Sequence, residues 1–193
     1  MKKDQCKKTT AYLKLNLTGK RLILRPFKFS DFKSCQASDK NRLPILNKFD
    51  EPISLGKSDY QEFKEKIKRH RLRGKARIHF IFGIFDKKTG EHIGNLDLLT
   101  INQQIGWGNL GFHIQNQYYS KGYASEASRL ALTIAFKYLN FHRIEAAMEM
   151  DNLASKKVAI KIGLKYEGVR KKFFPHKGGI DMRVYATNAI DYK

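Results

Sequence analysis

The chain has 193 residues, 41% hydrophobic and 12% aromatic, enough to build one domain with its own core and too apolar for a disordered chain. Its 38 Lys and Arg against 18 Asp and Glu give a net charge of +20, which disfavours cationic partners and favours polyanions. The longest near-apolar run, Ile78 to Phe85, is too short to span a bilayer, no apolar segment follows the basic Lys7-Lys8, and Cys6 and Cys35 offer neither a disulfide framework nor metal-ligand spacing. The expectation is a soluble, cytoplasmic protein with no metal.

Residues 1–20 read as a loose basic arm and 21–193 as a single domain. Arg21-Leu-Ile-Leu-Arg25 is a short strand closed by Pro26, which cannot continue a ladder. Ser30-Asp31 opens a helix carrying Phe32 and Cys35. Ser58 with Gln61 resembles a capping box, and Tyr60, Phe63 and Ile67 keep helical spacing to about Arg71. Strands follow at Ile78–Phe85, His92–Ile101 and Trp107–Gln115, the first two joined at Lys88-Thr89-Gly90 as a hairpin. Tyr123, Ala127, Leu130, Ala131, Ile134 and Tyr138 predict a helix from about Gly122 to Leu139. A strand over Arg143–Met150, a short helix opened by Asn152 and ended by Gly163, and strands over Lys165–Lys172 and Ile180–Thr187 complete a mixed α/β layer fold.

Gln117-Tyr-Tyr-Ser-Lys-Gly122-Tyr-Ala-Ser-Glu-Ala127 leaves a strand, turns at Lys-Gly and enters the long helix. A helix N-terminus offers unpaired N–H groups and partial positive charge, so this junction can bind a phosphate, or it can be an ordinary loop-to-helix turn. Asn152 is a good N-cap in its own right, and Ser155, at the third helical position, needs no further task.

Together these segments resemble the GNAT superfamily of N-acetyltransferases, and within it the RimJ/RimL-like branch of ribosomal-protein serine and alanine N-terminal acetyltransferases. The first is similar to the Arg/Gln-x-x-Gly-x-Gly/Ala loop of that superfamily, with Tyr119 standing where Arg or Gln is usual. The second is Asn152-Leu-Ala-Ser155 running on to Gly163 and Glu167-Gly168. The likeness extends from Arg21 to Asp181-Met-Arg-Val-Tyr185. It implies a mostly antiparallel seven-stranded sheet splayed after its fourth strand, Trp107–Gln115, and flanked by about four helices. It implies acetyl-CoA as cosubstrate: pyrophosphate on the amides of Tyr119, Ser120, Lys121, Gly122, Tyr123 and Ala124, and pantetheine against His113, Ile114 and Asn152. Ser155 would then lie at the departing sulfur, because Ala159 occupies the position where many relatives carry an acid tyrosine.

The base stays open. Relatives often carry Glu two residues before the strand glycine, but Asn109 precedes Gly111 here. Glu126, His113 and Asp181 are candidates as base or substrate contacts, each with a structural reading as well. An α-amine, with a pKa of about 7.7–8.0, needs a base less than lysine, near 10.4. The acceptor reading is therefore a protein N-terminus, ribosomal or otherwise, reached by a direct transfer. A small-molecule amine acetyltransferase and a non-catalytic RNA- or ribosome-binding module are the alternatives, with a monomer or homodimer implied. The basic stretches at 1–21, 57–77 and 156–177 are either an RNA-docking surface or lysine-rich composition, since Lys outnumbers Arg 27 to 11.

Overall fold

The computed structural model describes residues 12–50, 59–175 and 178–192. Eight strands form one sheet: β1 (Leu17–Thr18), β2 (Leu22–Arg25), β3 (His79–Asp86), β4 (His92–Asn102), β5 (Trp107–Ile114), β6 (Arg143–Glu149), β7 (Lys165–Phe174) and β8 (Ile180–Asn188), in the order β1-β2-β3-β4-β5-β6-β8-β7. Every neighbouring pair is antiparallel except β5 with β6. Four helices flank the sheet: α1 (Phe32–Lys40), α2 (Tyr60–Lys75), α3 (Tyr123–Thr133) and α4 (Leu153–Lys161). The seven-strand expectation is short by the two-residue β1, so the splay follows the fifth strand in chain order rather than the fourth.

Strand alternation divides the core. Phe80, Phe82 and Ile84 of β3, Leu96 and Leu98 of β4, and Leu110 and Ile114 of β5 are buried in one cluster with Ala127, Ala131 and Leu132 of α3. The small alanines let α3 lie close on the sheet. Its last turn widens into a π-turn over Ile134–Tyr138, so the expected helix to Leu139 is present but not uniformly α. A second cluster joins Phe85 to Phe27, Cys35 of α1, and Phe63 and Ile67 of α2. Asp59 caps α2 by accepting the Glu62 N–H at 2.8 Å; the expected cap, Ser58, lies outside the described residues.

The arm expected over residues 1–20 is not loose along its second half; residues 1–11 lie outside the described residues. Of β3, β2 pairs only with Gly83–Asp86, so among the described residues the first half of β3 lacks a strand on that side. Tyr12 takes that place: its hydroxyl donates to the Ile81 carbonyl at 2.7 Å and receives the Ile81 N–H at 3.3 Å. Its ring meets Phe80 and Phe82 edge-on and rests on Gly74 of α2, where a Cβ would fall 2.3 Å from the ring. A side chain thus completes a ladder that the short strand leaves open.

Candidate functional site

The sheet opens between β5 and β6. Their parallel pairing covers only Trp107↔Arg143 to Asn109↔Glu145, and beyond Asn109 the strands diverge. The end that stays paired is held by Glu145, which is buried. Both its oxygens accept from Arg170 at 2.7 Å, and one also accepts the Trp107 indole N–H at 3.0 Å. The divergence leaves a cavity of about 260 Å³ walled by Leu110, Phe112, Ala146, Met148, Asn152, Ser155 and Ala159. His113 and Ile114 lie beyond Asn109, on the stretch of β5 that no longer pairs with β6, and neither lines this cavity.

After β5 the chain passes through a short turn at Asn116–Tyr118 into α3. Ser120 has φ 59° and Gly122 φ 77°, so the chain turns through the left-handed region on either side of Lys121 before Tyr123 enters the helix. A Cβ at Gly122 would meet nothing nearer than Arg21 Nη2 at 3.6 Å. Glycine is therefore needed there for its backbone angle rather than for space. The first-turn N–H groups of α3 have no intrahelical acceptor, and they point out of the loop with the positive end of the helix dipole behind them.

Arg21, given no role from sequence, braces this loop. Its guanidinium donates to the Lys121 carbonyl at 2.8 Å and lies 4.5 Å from the centre of the Tyr123 ring. Glu126 holds Arg21 in turn, accepting its backbone N–H at 2.7 Å, its Nε at 2.9 Å and the Leu22 N–H at 3.2 Å. Burial pushes the Glu126 carboxyl up, but these bonds and the Arg21 charge outweigh it and hold the group below its ordinary value. Glu126 is a strut joining β2 to α3, and its oxygens are spent, so its candidacy as base is withdrawn. Tyr119 is also engaged. Its hydroxyl donates to Asp50 at 3.2 Å, and burial together with Asp50 pushes its pKa to about 12. Only the Tyr119 backbone remains for the loop.

Asp50 lies at the end of the segment that follows α1. It is buried against Arg42 and accepts the Leu46 N–H at 3.0 Å and Asn116 Nδ2 at 2.8 Å. Two residues earlier, the Lys48 ammonium bridges Glu149 at 2.9 Å and Asp151 at 2.8 Å on the far side of the cleft, and Phe49 lines the cleft between these anchors. The segment is a strap across the splayed sheet. At the other wall, Asn152 Oδ1 caps α4 by accepting the Ser155 N–H at 3.0 Å, while its Nδ2 donors take no part in that cap. The N-cap reading of Asn152 therefore holds. Ser155 stands on the same wall, and the lining contains no tyrosine.

Asp181 does not join the cleft. It accepts the Lys172 N–H at 2.9 Å and the Lys171 ammonium at 3.0 Å within the β7–β8 hairpin, and these hold its carboxyl below the ordinary range. This side chain staples a hairpin, and its reading as a base is likewise set aside.

A second cavity, about 400 Å³, lies on the α2 side of the sheet. His70, His79, Ile81, Asn95, Asp97 and His113 line it, and it shares Gly111 and Phe112 with the first. Burial pushes His113 and His70 down to about 4, so both are neutral near pH 7, and His113 Nε2 and His70 Nδ1 are buried with no hydrogen-bond partner among the described residues. A nitrogen that binds protons so weakly cannot take one from an ammonium, which counts against His113 as the base. Asp97 and His79 face one another here, Nε2 to Oδ2 at 2.7 Å. Sequence spacing could not signal this pair, because residues 18 apart meet only through the β3–β4 register His79↔Leu99.

A helix-start anion cradle, a cleft at a sheet splay and a capped Asn152 wall fit an extended, pyrophosphate-bearing thioester. Comparison with known proteins agrees. Residues 21–165 match the acetyltransferase (GNAT) domain family. The uncharacterized N-acetyltransferase YnaD of Bacillus subtilis is 32% identical over 170 residues, covering 83% of this chain and 89% of that one. The spermidine N(1)-acetyltransferase of Escherichia coli is 23% identical over 145 residues, 75% of this chain and 73% of its own. Among solved structures, the ribosomal-protein-S5-alanine acetyltransferase of Vibrio fischeri superposes with a TM-score of 0.74 at 22% identity, covering 93% of this chain and 99% of that one. No helix among the described residues is long and apolar enough to cross a membrane. The chain belongs to the GNAT family of acetyltransferases and is an acetyl-CoA-dependent N-acetyltransferase.

Proposed function

We propose that the acceptor is the N-terminal α-amine of a protein, entering from the α2 side, and that acetyl-CoA occupies the β5–β6 cleft with its pyrophosphate on the Ser120–Ala124 loop. Bound there, acetyl-CoA supplies an acetyl thioester whose C–S bond breaks as the amine C–N bond forms. The chain's own groups position and neutralise. First-turn N–H groups of α3 hold the pyrophosphate, Asn152 Nδ2 and the free edge of β5 hold the pantetheine amides, and Ser155 donates a hydrogen bond toward the departing sulfur.

One observation carries the acceptor reading. The α2-side cavity offers a single carboxylate, Asp97, already bonded to His79, in a chain of net charge +20. A polycation would need several acidic contacts to offset that field, whereas a single weakly basic α-amine needs one. The exposed basic side chains of α2, among them Lys68, Arg69, Arg73 and Lys75, support docking to an RNA-rich target, with affinity that falls steeply as salt rises.

The test is acetyl-CoA consumption with a panel of free-N-terminus peptides, the same peptides N-terminally blocked, spermidine and free amino acids. Free peptides should be acetylated, and blocked peptides and spermidine should not. Transfer confined to spermidine or other small amines would overturn the peptide assignment.

A further inference from the structure

We propose that Asp97 and His79 form a proton-accepting dyad for the acceptor ammonium, an assignment that rests on the acceptor entering the α2-side cavity. Gly111 is a wall shared by the two cavities, and Asp97 is pressed against it: a Cβ at Gly111 would lie 2.6 Å from Asp97 Oδ1. One carboxylate oxygen therefore faces the strand at which the sheet opens, while the other, Oδ2, is held at 2.7 Å by His79 Nε2. Both side chains keep some contact with solvent, so a proton collected there has an exit.

The neighbours favour this pair over any other group. The cavity presents His70 from α2, His79 from β3, Asn95 and Asp97 from β4, and His113 from β5, with Arg73 of α2 acting electrostatically on His70. Asp97 is the one carboxylate among these and supplies the charge that attracts an ammonium. Asn95 cannot titrate, and His70 and His113 bind protons too weakly. His79 alone has a carboxylate partner able to stabilise its imidazolium.

The step balances as follows. One N–H bond of the acceptor ammonium breaks, and its electron pair becomes the lone pair of the neutral amine. The proton goes to His79 Nδ1, while Nε2–H stays hydrogen-bonded to Asp97 Oδ2, leaving a carboxylate–imidazolium pair. His79 then releases its proton to water. Nothing is oxidised or reduced, and no co-reactant is required.

The experiment compares the full-length native protein with Asp97→Asn and His79→Gln, on whichever amines of the panel the native protein acetylates and on hydroxylamine, which is already neutral near pH 7. General-base catalysis is worth roughly 10²–10⁴-fold. Asp97→Asn should therefore lower kcat/KM by about 100-fold or more on amines protonated at pH 7, with the deficit shrinking as pH rises. Transfer to hydroxylamine should stay within a few-fold of native. His79→Gln should show the same split between protonated amines and hydroxylamine, and both variants should retain acetyl-CoA affinity and melting temperature. Equal loss on protonated amines and hydroxylamine, or a deficit below about threefold on both, would overturn the dyad. Transfer to a small amine and to no peptide, with the Asp97→Asn deficit intact, would sink the peptide acceptor and leave the dyad standing. Turnover of no amine by the native protein would overturn both.

Discussion

Removing the Glu126 carboxylate tests whether this residue is a strut or a base. In Glu126→Ala, the Arg21 N–H, the Leu22 N–H and the Arg21 guanidinium lose their acceptor together. Hydrogen bonds to a charged acceptor contribute about 1.5–3 kcal/mol each. Water can re-solvate part of this half-buried site, so the sum falls to about 2–4 kcal/mol. For a chain of this size that lowers Tm by roughly 5–15 °C. Glu126→Gln keeps an oxygen for the two backbone N–H groups and loses the charged bond to Arg21, about 1–1.5 kcal/mol. Because the carboxyl is held below its unfolded value of about 4.3, the native protein has this stabilisation above that pH and loses it as pH falls through the folded value; Glu126→Gln should lack the dependence. The assay is urea unfolding from pH 3 to 8, paired with kcat at saturating acetyl-CoA. The strut reading requires a stability loss with kcat within about threefold of native. Unfolding free energy within ~0.5 kcal/mol of native, accompanied by a 100-fold or greater fall in kcat, would refute it and restore Glu126 as a base.

Gly122→Val places a β-branched residue at φ 77°, costing ~1–3 kcal/mol, and should weaken acetyl-CoA binding about tenfold by calorimetry as the loop relaxes away from its left-handed turn. Ser155→Ala should lower kcat several-fold with unchanged acetyl-CoA affinity, because the Asn152 cap uses the Ser155 backbone N–H and not its hydroxyl. Asn152→Ala should instead cost ~1 kcal/mol in thermal unfolding and weaken acetyl-CoA binding as well. Gly74→Ala should displace the Tyr12 ring, with a Tm loss matching that of Tyr12→Ala and no further loss in the double variant.

The sequence was most legible where function is written locally. The Gly122 loop needs its glycine for a backbone angle, and Asn152 needs only to sit three residues before the N–H it caps, so both could be read from short spacings. Strand alternation in Ile78–Phe85 and its successors placed β3 to β5 to within a residue or two. Elements fixed by distant partners were not legible. Tyr12 meets β3 some 69 residues away, Arg21 meets Glu126 across 105, and Lys48 reaches Glu149 across 101. Glu126 and Asp181 were misleading for the same reason: whether a carboxylate is available depends on which donors the fold brings to it, and both are fully engaged.

The strap over the cleft has two unequal ends. Asp50 is tied down by buried bonds from Arg42, Asn116 and Leu46, whereas Lys48 rests on carboxylates in open water, where such pairs hold weakly and yield to added salt. The segment should therefore behave like a buckled belt, released at the Lys48 end and pivoting near Asp50. Since Phe49 rides between them, letting go of the buckle also withdraws one side of the β5–β6 cleft. If the acceptor is the RNA-associated N-terminus proposed above, ionic strength acts in two opposed senses, easing entry to the cleft while weakening capture of that acceptor. A salt optimum in the rate, rather than a monotonic decline, is the signature of that opposition.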